Sequence, residues 1–259
     1  MSGTSGCVVA RDAAATLERC LASLAFCDEC VVVLDPRSRD RSEALARAAG
    51  ARVVSHPYAG NLEQKRFALA QCKGEWVVLL DADEALSPPL ARRLAEYLAA
   101  PEPGCDGVLL NRVARHLGRW IRHGEFHPDW QLRAFRAAVA RLEGRNPHGR
   151  VRVPGRVVPI AGDLEHRSYR DLADQVARIQ EFSGIEAEGL HAEGRRAGVA
   201  DLALRPALRF LRGYLWRQGF RDGVPGLAIA AASAFHVFLK YAKLWELGRA
   251  RGSAGADAG

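Results

Sequence analysis

Lysine and methionine are almost missing from this chain: four lysines stand against 33 arginines, and a single methionine opens the 259 residues. The formal charge of +7 is therefore carried mostly by guanidinium groups, planar forks that suit carboxylates and phosphates. It points to anionic partners without choosing among phosphates, lipid headgroups and nucleic acid. The opening "MSGTSGCVVARD" lacks the basic, apolar and small-residue order of a secretory leader, so the expected location is the cytoplasm. Six cysteines in such a chain do not make a disulfide framework. Cys27 and Cys30 form a CxxC with no second pair at zinc-ligand spacing, which argues for buried structural thiols over zinc or redox chemistry. The longest apolar run, "VPGLAIAAASAFHVFL", is 16 residues interrupted by Ser233 and His236, shorter than the ~18 residues expected of a bilayer span. No internal repeat and no nucleic-acid recognition motif occurs, and the basic residues are spread over several elements, so nucleic acid is not an expected partner.

What is present is alternation. "CVVA", "CVVVLD", "ARVVS" and "EWVVLL" read as short buried strands. Between them lie helical patterns: Leu17, Leu21 and Leu24 on one face, "DRSEALARAAG" with Asp40 and Glu43 at capping-box spacing and Gly50 as a stop, and "NLEQKRFALAQC". "SPPLARRLAEYL" follows, with a Ser87 cap and Pro88 in its first turn. This order predicts βαβ units and a mainly parallel sheet flanked by helices, an α/β fold. From about residue 105, shorter pieces ("DGVLLNRV", "GRWIRH", "WQLRAF", "GRVRV", "GRVVPI") predict antiparallel additions that build one wall of a site. Long helical patterns run from Tyr169 to Leu247, and "GRARGSAGADAG" reads as a disordered tail. The expected domains are 1–168, split near 104 into donor and acceptor halves, a helical extension over 169–248, and a tail over 249–259. In the extension Leu204, Leu208, Leu211 and Leu215 form one stripe with Arg205, Arg209, Arg212 and Arg217 around it. The region either lies on a membrane surface or packs as core under the sheet domain.

In sheets of this kind ligands bind beyond the carboxyl ends of the strands. Asp35 and Asp40 follow "VVVL", and Asp81 and Asp83 follow "VVLL". Asp40 reads equally as a helix cap. In an extended segment residues two apart point the same way, so Asp81 and Asp83 can face one ligand past the small Ala82, while Glu84 turns away. Paired hard oxygen ligands suit Mg²⁺ or Mn²⁺, which complete their shell with waters and substrate phosphates, and so imply a nucleotide diphosphate donor.

The chain as a whole resembles the family 2 glycosyltransferases of the GT-A (Rossmann-like) fold, and among them the bacterial lipopolysaccharide core glucosyltransferase-like proteins. The likeness runs from about Cys7 to Leu247 on "ARDAAATLERCLASL", "VVVLDPRSRDRS", "GNLEQKRFALAQCKGEWVVLLDADE", "HPDWQLRAFR", "HRSYRDLADQ" and "KYAKLWEL". It implies that Asp35 meets the nucleotide base, with Asp40 near it; Arg37, in a segment that departs from the family, either adds a base or phosphate contact or crowds the nucleotide. Lys65 would lie beside the donor, Asp81 on the ribose or metal, and Asp83 on the metal. Asp129 matches the acidic position of the general base, and Trp130, Arg133 and Arg119 fall at the acceptor. The chain departs from the family in "DPRSRDR", where a small Gly-containing loop is usual. It departs again in "NPHGR", where a His-Glu pair is usual: His148 matches, as a metal ligand or diphosphate contact, and Gly149 does not. The resemblance implies an inverting, metal-dependent transfer of a glucose-like sugar, with UDP-glucose favoured, to a lipopolysaccharide core or other envelope glycan. The arginines and histidines of "RVARHLGRWIRHGEFH" point to an anionic glycolipid acceptor, met at the cytoplasmic face of the inner membrane. A polyprenyl-phosphate glycosyltransferase and an inactive nucleotide-sugar-binding relative are the alternatives.

Overall fold

The computed structural model describes residues 3–144 and 149–254. The chain forms two compact units, Met1–Val113 with Asp129–Arg167, and Ala114–Pro128 with Ser168–Gly259. The segment 114–128, expected in the sheet domain, belongs instead to the helical unit.

In the first unit, β1 (Thr4–Ala10), β2 (Glu29–Leu34), β3 (Arg52–Ser55) and β4 (Trp76–Asp81) are separated by α1 (Leu17–Ser23), α2 (Ser42–Ala48) and α3 (Asn61–Gln71). After β4 come β5 (Glu84–Leu86), α4 (Pro88–Ala99) and β6 (Cys105–His116), which runs on into the second unit. The short β7 (Arg119–Trp120) lies in the second unit, and β8 (Trp130–Arg136), β9 (Arg141–Glu143), β10 (Arg150–Arg152) and β11 (Arg156–His166) return to the first. The sheet order is β3-β2-β1-β4-β8-β6-β11-β5, with β9 and β10 a separate hairpin. β1 pairs in parallel with β2 and β4, and β2 with β3, whereas β8 runs antiparallel to β4 and β6.

The period-2 geometry of strands sorts the core onto two faces. Val8, Val32, Val78 and Leu80 pack with Leu17, Leu21, Leu90 and Leu94. Their neighbours Cys7, Val31, Val33, Val77 and Leu79 pack with Ala68 on the opposite side. A strand buried on both faces reads as an unbroken apolar run, which is why "VVLL" does not alternate. Each fully buried leucine here contributes about 1.5–3 kcal/mol relative to exposure. Cys7, Cys20 and Cys105 are buried within this core. Burial, aided by Cys72 and Glu29, pushes the Cys30 thiol up to about 11, and burial raises Cys27 further.

The parallel strands end together: Val9 is opposite Asp81 and Ala10 opposite Leu34. Asp35, Asp81 and Asp83 therefore stand along one edge. The expected Asp40 cap is a different device. Helix α2 starts at Ser42, and Asp40 accepts from the N–H and hydroxyl of Ser42 (2.9 and 2.5 Å) and from Ala14 N (2.8 Å), fastening two loops.

The second unit is helical: α5 (Leu172–Ala192), α6 (Val199–Leu211) leading into a wide turn over Arg212–Trp216, and α7 (Val224–Ala254). Asp171 caps α5 through Asp174 N at 2.8 Å. Segment 114–128 is tied in by the buried Asp222, which accepts from the N–H groups of Arg122 (3.0 Å) and His123 (2.8 Å). Two expectations are corrected here. Helix α7 continues through residues 249–254, assigned to a disordered tail; residues 255–259 lie outside the described residues. Val224–Arg249, 26 residues, is by length and composition enough to cross a membrane, because the pattern extends past the run counted in the sequence.

Candidate active site

At the end of β4, three carboxylates and three cations form one alternating chain in the first unit. Lys65, on α3, places Nζ 2.6 Å from Asp81 Oδ1, and Arg133, on β8, donates from Nη2 to Asp81 Oδ2 at 2.9 Å. The same Nη2 donates to Glu84 Oε1 at 2.5 Å, and Arg112, on β6, reaches that oxygen at 3.3 Å. Arg112 also grips Asp129 Oδ2 with Nε (2.8 Å) and Nη2 (2.7 Å). Gln131 Nε2 donates to Asp129 Oδ1 at 2.5 Å. The order is thus Lys65, Asp81, Arg133, Glu84, Arg112, Asp129, charges alternating throughout.

Burial by itself would raise the Asp81 pKa, but Lys65 and then Arg133 hold it well below the ordinary carboxylate range. Arg133 is buried, which alone would ease its deprotonation, yet Glu84 and Asp81 hold its proton more firmly than usual. These are charge-assisted contacts, and at the buried Arg133–Glu84 pair both signs must be present for either to be tolerated.

Glu84 corrects the sequence reading. It was expected to turn away from Asp81 and Asp83. Instead it is fully buried in β5, paired in register with His166 of β11, and its Oε2 accepts from Asp81 N at 3.1 Å. Arg133, expected at the acceptor, lines the cavity that Asp129 and Trp130 also line, with its guanidinium committed to Asp81 and Glu84. Arg112, read as one of several cations for an anionic acceptor, is committed to Glu84 and Asp129.

Asp83 points elsewhere. Its Oδ2 lies 3.3 Å from His166 Nε2, and its carbonyl accepts from Arg167 N at 3.0 Å. His166 stands in the quoted "HRSYRDLADQ", but nothing local set it apart; the β5–β11 pairing brings it to Asp83. Asp35 is fully buried, with Arg37 donating to it from Nε (3.1 Å), Nη2 (2.8 Å) and its backbone N (3.0 Å). Those Arg37 bonds lower the Asp35 pKa. His148 lies outside the described residues. Arg119 belongs to the second unit, where Nη2 donates to Arg221 O at 3.4 Å.

An open cavity of about 320 Å³ is not part of this cluster; the cavity that is, about 310 Å³, is lined by Lys65, Asp129, Trp130, Arg133, Arg150 and Arg152 among others. Trp130 is half-exposed beside Asp129. Gly149 forms part of the wall, and a Cβ there would sit 2.4 Å from Leu62 Cδ1. A side chain at this position would therefore require Leu62 of α3 to shift.

A divalent ion is implied by the resemblance, and the donor set fits one. Asp83 offers a carboxylate oxygen and His166 an imidazole nitrogen, converging within 3.3 Å, a pairing suited to Mn²⁺ or Mg²⁺ completed by phosphate and water oxygens. Asp81, with both oxygens held by cations, is less available. No cluster of three or more His, Cys, Asp and Glu able to hold an ion occurs among the described residues, so any ion would depend on its substrate for most ligands.

The model of Glycosyl transferase family 2 matches residues 5–153. The chain is 29% identical over 252 residues to the lipopolysaccharide core biosynthesis glycosyltransferase LpsC of Rhizobium meliloti (strain 1021), covering 93% of this chain and 92% of the relative. It is 39% identical over 256 residues to a TPR repeat-containing protein of Synechococcus elongatus, covering 92% of this chain and 62% of that protein. The glucosyl-3-phosphoglycerate synthase of Mycobacterium tuberculosis, crystallised with Mn²⁺, UDP-glucose and phosphoglyceric acid, shares 29% identity over 44% of each chain at a TM-score of 0.37. That structural likeness is too partial to carry an argument.

Proposed function

Because the chain belongs to glycosyl transferase family 2, we propose that it moves a glucose-like sugar, with inversion, from a nucleotide diphosphate donor to a lipopolysaccharide core or related envelope glycan. The similarity to LpsC along nearly the whole chain supports the acceptor class. UDP-glucose is the favoured donor, and the acceptor is an anionic glycolipid at the cytoplasmic face of the inner membrane. The observation that carries the reading is the charge chain itself, which ties the strand-end carboxylate Asp81 to Asp129 at the wall of an open cavity.

Asp129 takes the proton of the acceptor hydroxyl as that oxygen attacks the anomeric carbon; a carboxylate so placed contributes about 10²–10⁴-fold. Arg112 and Gln131 fix its orientation, leaving a lone pair of Oδ1 for the hydroxyl. Asp35 and Arg37 meet the base and ribose, with Asp40 bracing their loop. Lys65 lies beside the leaving diphosphate. Asp83 and His166 would hold Mg²⁺ or Mn²⁺, which when bound supplies positive charge to the departing diphosphate. A single base with direct displacement gives inversion.

The test is a panel of nucleotide sugars assayed for Mn²⁺-dependent binding and for slow donor hydrolysis. Asp83→Ala and His166→Ala are expected to lose metal-dependent binding, and Asp129→Asn to keep binding while turnover falls at least about 100-fold. Unchanged binding in both metal-side variants would remove the ion from the proposal. Full turnover in Asp129→Asn would remove the base.

A further inference from the structure

Large apolar side chains that face solvent are distributed unevenly. Of 18 such residues among those described, 16 lie in the second unit, Tyr58 and Trp130 being the exceptions. Helix α6 is the extreme case: none of its residues is buried. An amphipathic helix in a globular unit ordinarily turns its apolar stripe to the core. Here Leu204 (61% exposed), Leu208 (63%), Leu211 and Leu215 turn it to solvent. The stripe continues in Trp216, 86% exposed, and Val224, 74% exposed, and α7 adds an outward row of Leu227, Phe235, Phe238 and Trp245.

The surroundings of this face are basic. Residues 195–249 hold ten arginines and lysines against three acidic residues. Arg205 and Arg212 each follow a leucine of the stripe by one residue, which sets them about 100° round the helix, at its edge. Long cationic side chains in that position lay their stems along apolar surface; Arg205 pairs with Asp201 at 2.5 Å and Arg212 lies 3.8 Å from Glu125, and both arginines stay about half-exposed, within reach of an anionic layer.

We propose that the α6–α7 face is a docking surface that lies in the plane of an anionic phospholipid bilayer, with the leucine stripe and Trp216 in the acyl boundary and the arginines among the phosphates. Two features favour a bilayer over the other occupants. A second copy meeting this face across a two-fold axis would set its cationic rim against the same rim, whereas an anionic headgroup layer complements it. A membrane-spanning α7 would strip away partners that α5 supplies. Lys243 Nζ donates to Gln180 O (2.5 Å) and Ser183 Oγ (2.8 Å), and Lys240 and His236 both reach Glu186. Helix α7 is thus a packed element of the unit with one apolar edge outward, and Trp216 is the kind of anchor found at membrane interfaces.

This inference names the membrane contact of the proposed function but rests on the surface of the second unit alone. The test is flotation of the full chain with vesicles of phosphatidylcholine, or of phosphatidylcholine mixed with phosphatidylglycerol, with binding of the nucleotide sugar read in the same samples. Binding to the anionic vesicles, weakened by salt, is expected. Leu208→Glu with Leu211→Glu should reduce it at least about tenfold, and these side chains are outside the core, so donor binding in solution should persist. Arg205→Gln with Arg212→Gln should erase much of the preference for anionic vesicles. Brominated lipid should quench a part of the tryptophan emission that is missing in Trp216→Phe. Equal binding to both vesicles, no binding, or vesicle binding untouched by the paired glutamates would overturn the proposal. So would a lipid-free dimer that those glutamates dissociate, since the face would then belong to a second copy. Loss of donor binding in every sample, with vesicle binding intact, would count against the proposed function and leave the docking surface standing.

Discussion

Glu84→Gln is the sharpest probe of the charge chain, since it alters one buried group by a single functional atom. The carboxylate is fully buried; Oε1 accepts from Arg133 at 2.5 Å and Arg112 at 3.3 Å, and Oε2 from Asp81 N at 3.1 Å. Glutamine keeps the volume but can serve only one of these sides. With its oxygen toward the arginines, its amide nitrogen faces the Asp81 N–H, donor against donor, and an orphaned buried donor costs about 1–3 kcal/mol. The chain is also left with three cations and two anions. Removing one partner of a buried pair costs about 3–5 kcal/mol. Because Arg133 keeps Asp81 and Arg112 keeps Asp129, the expected loss is at the lower end, about 3 kcal/mol. At about 2–4 °C per kcal/mol for a unit of this size, Tm falls by about 6–12 °C. Thermal unfolding followed by circular dichroism measures it. A cycle with Arg112→Met should show coupling of at least about 0.5 kcal/mol, as contacting residues do. A Glu84→Gln protein within about 0.5 kcal/mol of the parent, the range of an ordinary surface change, would refute the claim that Glu84 holds the chain together.

Two further outcomes follow from single contacts. Gly149→Glu, which writes the family's usual pair back into the sequence, should destabilise by about 1–3 kcal/mol in urea unfolding through its clash with Leu62, and Leu62→Ala in the same chain should recover part of that loss. In the second unit, the hydrogen bond from His236 and the Lys240 contact hold Glu186 down at about 2 against an ordinary 4.5, with burial opposing. The unfolded chain therefore takes up this proton first as pH falls, so the contribution, of order 3 kcal/mol, is whole above 4.5 and lost between 4.5 and about 2. Glu186→Gln should thus be less stable than the parent at neutral pH, and the two should converge as unfolding is measured toward pH 2.

The parts of the molecule that were legible beforehand are those whose signal is local. The unbroken apolar runs, the helix faces with Leu17 and Leu21 or Leu90 and Leu94, and the acidic strand ends all state their place within a dozen residues. Glu84 failed for a physical reason. β5 is three residues long, too short to show a period, and its orientation is fixed by pairing with β11 some 80 residues later. Arg112 and Asp129 likewise meet only because β6 and β8 run side by side. The leucine stripe of α6 was visible at once, but whether such a stripe faces core or solvent is decided by what packs on it, and no local pattern records that.

The concentration of like charge in "DADE" is resolved by these distant partners. Asp81 takes its cations from α3 and β8, Glu84 from β8 and β6, and Asp83 a histidine from β11. Each carboxylate is thus compensated before any ligand arrives, and at different levels of burial. Glu84 is fully buried, so its cations cannot be withdrawn without stranding a buried charge, and Asp81, 27% exposed, has a cation on each carboxylate oxygen. Asp83 is a third exposed and, among the described residues, its carboxylate is paired with an imidazole alone, so of the three it is the one that can change partner at least cost. A site with one exchangeable carboxylate beside two fixed ones has a rigid floor and a single free ligand position, which is what a transient ion shared with a diphosphate would require.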